Sequence, residues 1–132
     1  MNQPYVDHIG IIVGNLDQSI RLFETLFNLR PAKIKDIPEV GLKVAHFHAQ
    51  NIEIELIQYT TEDTFGQKVM GPEKGINHLS VRVKDIRKAL KDCQHKGLKV
   101  MEGFPREGSH GQVAFFEPHT TEGILLEICE SE

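Results

Sequence analysis

Residues 5–20, YVDHIGIIVGNLDQSI, and residues 76–90, INHLSVRVKDIRKAL, follow one grammar. Each sets a histidine in an alternating apolar run and then passes through Asn or Asp into a helical pattern. The first run reads as a β-strand with His8, Gly10 and Ile12 on one face and Ile9, Ile11 and Val13 on the other. Asn15 or Asp17 caps the following helix, whose apolar stripe is Leu16, Ile20, Phe23 and Phe27. Pro31 ends it by disfavouring α geometry at Arg30. In the second copy Asp85 caps a helix with Ile86, Leu90 and Cys93 inward, and Gly97 stops it.

Around these anchors, AKIKDI (32–37), LKVAHFHA (42–49) and IEIELIQY (52–59) read as three strands. LKVME (98–102), QVAFFE (112–117) and GILLEICE (123–130) read as three more. The polar stretch TTEDTFGQKVMGPEKG (60–75) reads as a linker with room for one short helix. His8 and His78 stand 70 residues apart, and Glu55 and Glu127 stand 72 apart, offsets that mark a duplication with small indels. The predicted fold is α+β. Two tandem βαβββ modules, about residues 5–60 and 76–130 around a linker of about 61–75, form one domain of 1–132. Their strands make a curved mixed sheet around a metal-containing cavity, with the helices on the outer face.

The chain has 132 residues, and a half of about 60 residues is marginal alone, so two modules would need each other. A formal net charge of −4 without a basic run argues against nucleic acid and anionic membranes as partners. No apolar segment approaches the ~20 residues of a membrane span, and the N-terminus lacks a signal-peptide core. Two cysteines, Cys93 and Cys129, make no disulfide framework and read as reduced core residues of a cytoplasmic protein.

Alternation puts His8, Glu55, His78 and Glu127 on the strand faces turned away from the helices, as two matched pairs. Two imidazoles and two carboxylates suit a mid-hardness divalent ion such as Co²⁺, Mn²⁺, Ni²⁺, Fe²⁺ or Zn²⁺. They do not suit Ca²⁺, which takes oxygen ligands. Both imidazoles must be neutral to bind, so affinity should fall in acid. Four ligands on an octahedral ion leave two adjacent positions for a chelating substrate. Singly, each residue is an ordinary strand His or Glu; the recurrence of both pairs carries the metal reading.

The other histidines divide. His46 and His48 form an H-x-H pair on one strand face that could rival this site, but nothing answers them in the second half. His95, near a helix end, reads as a surface residue close to the last carbonyls, and His119 as a turn residue. His110 stands in the Gly-flanked GSHG, which is either a close approach to a ligand or simply a turn.

The stretches DHIGIIVGNLDQSIRLFETLFNLRP (7–31), PEVGLKVAHF (38–47), IEIEL (52–56), GINHLSVRVKDI (75–86) and PREGSHGQVAFFEPHTTEGILLEICE (105–130) cover nearly the whole chain. Together they resemble the vicinal oxygen chelate superfamily, which includes glyoxalase I, extradiol dioxygenases and bleomycin-resistance proteins. Within it the sequence is most similar to the methylmalonyl-CoA epimerases. The resemblance puts His8, Glu55, His78 and Glu127 on that family's metal positions, with Co²⁺ the foremost ion. It puts Glu39 where the family has a carboxylate on the far side of the substrate carbon, and Ser109, His110 and Gly111 at the substrate. It implies an acyl-CoA thioester as substrate and a homodimer. Glu117 and His119 replace a typical His and Lys, and DTFGQKV replaces a typical S-P-I segment, so coenzyme A contacts depart from the family pattern.

The activity implied is interconversion of the 2R and 2S forms of methylmalonyl-CoA. Two bases, Glu127 on one face and Glu39 on the other, would move the proton through a metal-stabilised enolate. Glyoxalase I uses the same ligand types, and Glu39 and GSHG are what separate the two readings. An extradiol dioxygenase would use two His and one carboxylate, which the fourth position, Glu55, opposes. A metal-free module that sequesters planar drugs would want aromatic walls, whereas this chain has no Trp and two Tyr.

Overall fold

The computed structural model describes residues 4–109 and 111–130, and is α+β throughout. Its contacts divide the chain into two compact units, one of His8–Asn77 and one from His78 onward joined by the residues before His8.

The first unit carries β1 (Tyr5–Ile12, its opening residues belonging to the other unit), α1 (Leu16–Phe27), β2 (Lys33–Ile37), β3 (Leu42–His48), β4 (Glu53–Tyr59) and a short α2 (Phe65–Met70). The strand order is β2-β3-β4-β1; β1 and β4 run parallel and the other neighbours antiparallel. Asn15, in extended backbone, accepts the Gln18 N–H at 3.0 Å, so Asn15 rather than Asp17 is the cap. The helix lays Leu16 and Ile20 on Ala45, Phe47 and Leu56, with Ile11, Val13 and Phe23 packed alongside. Phe27 is half exposed, its ring 5.4 Å from that of Phe23. The helix ends earlier than Pro31 requires. Asn28 adopts φ 53°, a left-handed cap that its short polar side chain tolerates, and this turns the chain.

Phe47 is fully buried beneath α1. Phe47→Ala would leave a cavity that a β-sheet and a packed helix cannot close, at a cost of about 3–5 kcal/mol. Urea unfolding should show the midpoint falling with an unchanged slope.

The second unit repeats the plan with β5 (Gly75–Val83, its opening residues belonging to the other unit), α3 (Ile86–His95), β6 (Arg106–Gly108), β7 (Gly111–Phe115) and β8 (Leu126–Glu130), plus a 3-10 turn at Pro118–Thr120. Its order, β5-β8-β7-β6 with β5 and β8 parallel, matches that of the first unit strand for strand. Asp85 caps α3 through the Lys88 N–H at 3.2 Å, and Gly97 turns out of it at φ 94°. Ile86 and Leu90 bury against Ala114, Phe116 and Ile128, with Cys93 partly covered.

One expected strand is corrected. LKVME forms only an isolated bridge from Val100 to Phe116, and the regular edge strand is β6, within PREG. Leu98 and Val100 are drawn onto the α3 core, and a turn at Glu102–Gly103, with Gly103 at φ 90°, interrupts the edge. The chain then rejoins β7 at Arg106. Among the described residues no helix is long and apolar enough to cross a membrane.

Candidate metal centre

The two units place their histidine and glutamate by one rule of register. In the first, the parallel β1–β4 ladder sets Gly10 opposite Glu55, and His8 stands two residues before Gly10 on the same face. In the second, β5–β8 sets Ser80 opposite Glu127, and His78 stands two residues before Ser80. Each imidazole therefore lies diagonally across from its carboxylate. His8 Nε2 is 3.1 Å from Glu55 Oε2, and His78 Nε2 is 4.0 Å from Glu127 Oε1. All four residues are at least 94% buried.

Such burial is costly for ionisable groups unless something compensates their charge. Each unit buries a carboxylate beside an imidazole nitrogen, a mixed N/O donor pair whose chemistry fits a mid-hardness divalent ion. Burial pushes the Cys129 thiol up to about 12 and raises Cys93 as well. Both cysteines are free.

The H-x-H motif on β3 splits in two. His46 is buried, with Nδ1 3.8 Å from Glu55 Oε2, whereas His48 is exposed and its Nδ1 lies 2.6 Å from Glu53 Oε1. In the second unit, the ring 5.1 Å from His78 is Phe115, set edge-on. A further buried carboxylate, Asp7, accepts a hydrogen bond from Arg82 Nε at 2.9 Å, and the Arg82 guanidinium lies 4.1 Å over the exposed Tyr5 ring. Sequence reading missed Asp7, because nothing in YVDH marks it as a salt-bridge partner 75 residues from Arg82.

Glu39 is exposed in the turn between β2 and β3. That turn is braced: the Gly66 N–H donates to the Val40 carbonyl at 3.0 Å, and a Cβ on Gly66 would lie 2.8 Å from the same oxygen. Gly41, at φ 74°, closes it. Ser109 lies in the turn after β6, and Gly111 opens β7 opposite Gly108. His110 lies outside the described residues. His95 and His119 are exposed, the first as the last residue of α3 and the second in the 3-10 turn.

A family model described as the Glyoxalase/Bleomycin resistance protein/Dioxygenase superfamily matches residues 7–116. The chain is 28% identical over 127 residues to the uncharacterized protein YqjC of Bacillus subtilis (strain 168), covering 95% of this chain and 91% of that one. It is 27% identical over 133 residues to the mitochondrial methylmalonyl-CoA epimerase of Dictyostelium discoideum, covering 95% of this chain and 77% of that one. A Streptomyces coelicolor methylmalonyl-CoA epimerase variant, solved in complex with 2-nitronate-propionyl-CoA, shares the fold at a TM-score of 0.85 and 23% identity. That match covers 98% of this chain and 99% of the other.

Proposed function

The chain belongs to the glyoxalase/bleomycin resistance protein/dioxygenase superfamily, and on that footing we propose that it is a metal-dependent epimerase interconverting the 2R and 2S forms of methylmalonyl-CoA. The observation that carries the reading is the repeated register: two buried His–Glu pairs generated by the same strand offset in both units. Its relatives supply the substrate class, since two proteins similar over nearly the whole chain are methylmalonyl-CoA epimerases.

In this reading His8, Glu55, His78 and Glu127 together hold one divalent cation, Co²⁺ foremost, with Mn²⁺, Ni²⁺, Zn²⁺ or Fe²⁺ as alternatives. When bound, the ion would supply positive charge that stabilises the negative charge developing as C2 loses its proton. The chain's own groups move that proton. Glu127 takes it from one face of C2, and Glu39 delivers one to the opposite face; the return reaction exchanges the roles. The exposed turn leaves the Glu39 carboxylate able to meet substrate, and its bracing through Gly66 limits how far it wanders. Ser109, His110 and Gly111 are assigned to the substrate, and the working form is a cytoplasmic homodimer.

One assay decides between this reading and its nearest rival. Purified protein loaded with Co²⁺ should racemise C2 of methylmalonyl-CoA and incorporate solvent deuterium there. Turnover of a methylglyoxal–thiol hemithioacetal without epimerisation would instead assign a glyoxalase I-type isomerase. Protein that takes up no ion and epimerises nothing would point to a small-molecule-binding module.

A further inference from the structure

We propose that His46 is a positioning residue that holds Glu55 in its ligating orientation, an asymmetry between the two halves; the proposal rests on the metal reading above. The antiparallel β3–β4 register sets His46 directly opposite Glu55. Its Nδ1 lies 3.8 Å from Glu55 Oε2, the same oxygen that His8 Nε2 reaches at 3.1 Å. One carboxylate oxygen is therefore flanked by two imidazoles, and His46 is only 3% exposed.

The second half does otherwise. The place opposite Glu127 across β7–β8 is taken by Phe115, a hydrocarbon ring. Apart from this position, the register of the two halves is the same, with a histidine two residues before the residue that faces the glutamate. The difference has a chemical logic. A carboxylate oriented from both sides suits a ligand that stays in place. Outer groups that orient metal ligands typically contribute about 10–100-fold to affinity. His48, two residues further along the same strand face, is exposed and engaged with Glu53, and serves as an internal control.

Titration of the metal-free full-length chain with Co²⁺, followed by calorimetry and by d–d absorption, tests the assignment. His46→Phe copies the ring found opposite Glu127 and keeps the volume of the site. It should weaken Co²⁺ binding about 10–100-fold at unchanged stoichiometry and shift the d–d bands as Glu55 changes its hold on the ion. His46→Ala gives the same reading if the larger ring is not accommodated. His46→Asn places an amide nitrogen where Nδ1 stands and should restore affinity and spectrum, whereas a purely space-filling role would not respond to it. His48→Ala should bind like wild type. In a Glu55→Gln background, His46→Phe should bring no additional loss. Wild-type affinity in His46→Phe, or an equal loss in both backgrounds, overturns the assignment and leaves the metal site standing. A wild-type chain that takes up no Co²⁺ overturns both.

Discussion

His78→Ala should strip the protein of its divalent ion, and His8→Ala should do the same. The two residues lie in different units and different strands, so a shared loss is a demanding outcome. If each His–Glu pair were only a local polar contact, removing one imidazole would leave the other pair's behaviour unchanged. If all four groups hold one ion, loss of either imidazole lowers the coordination number and leaves a buried carboxylate without its cation. Atomic absorption after gel filtration should find close to one ion per wild-type chain and about a tenth of that or less in either variant. The ion is assigned several kcal/mol of charge stabilisation, so epimerisation should fall on the order of 10³-fold. Circular dichroism should stay near wild type, because neither histidine belongs to the apolar clusters beneath α1 and α3. A variant that keeps full metal content removes that histidine from the ligand set.

That the two histidines and the two glutamates share a strand face in each half could be read from the sequence, because it depends on two simple periodicities. A period of two decides which strand face a side chain takes, and a repeat of about 70 residues says that the decision was made twice. The α3 cap followed as well, since Asp85 stands just before an apolar stripe, whereas at α1 the sequence left Asn15 and Asp17 open and the structure chose Asn15. What escaped reading depends on neighbours that are not close in sequence. The position of β6 turns on whether Leu98 and Val100 join the α3 core or continue a ladder, a competition that alternation alone does not rank. His46 presents the same difficulty in sharper form. Its face could be read from LKVAHFHA, but its partner is fixed by the β3–β4 register, and a slip of two residues would keep the face while pairing it with another residue. Asn28 ended α1 through a left-handed cap, a local device that the more conspicuous Pro31 had obscured.

Glu39→Gln should abolish inversion at C2 while leaving metal content and stability intact. Glu39 differs from the four proposed ligand residues: it is exposed, sits on a turn, and belongs to neither His–Glu pair. Its removal therefore costs no buried charge and opens no cavity, so an effect on turnover cannot be a disguised effect on folding. The glutamine keeps the shape and removes the base. Loss of one positioned proton donor–acceptor should lower epimerisation by about 10²–10⁴-fold. The informative part is what survives. With Glu127 still present on one face, that face can still lose and regain a proton, so one epimer should continue to exchange C2–H for solvent deuterium with retention while the other becomes inert. Following both epimers by NMR in D₂O separates the cases. Exchange lost from both would mean that Glu39 acts before proton abstraction, in binding or orientation, and inversion at the wild-type rate would remove it from the reaction. Retained one-sided exchange is the signature that a single carbon is served by two carboxylates of opposite character, one buried beside His78 and one carried on a braced, solvent-facing turn.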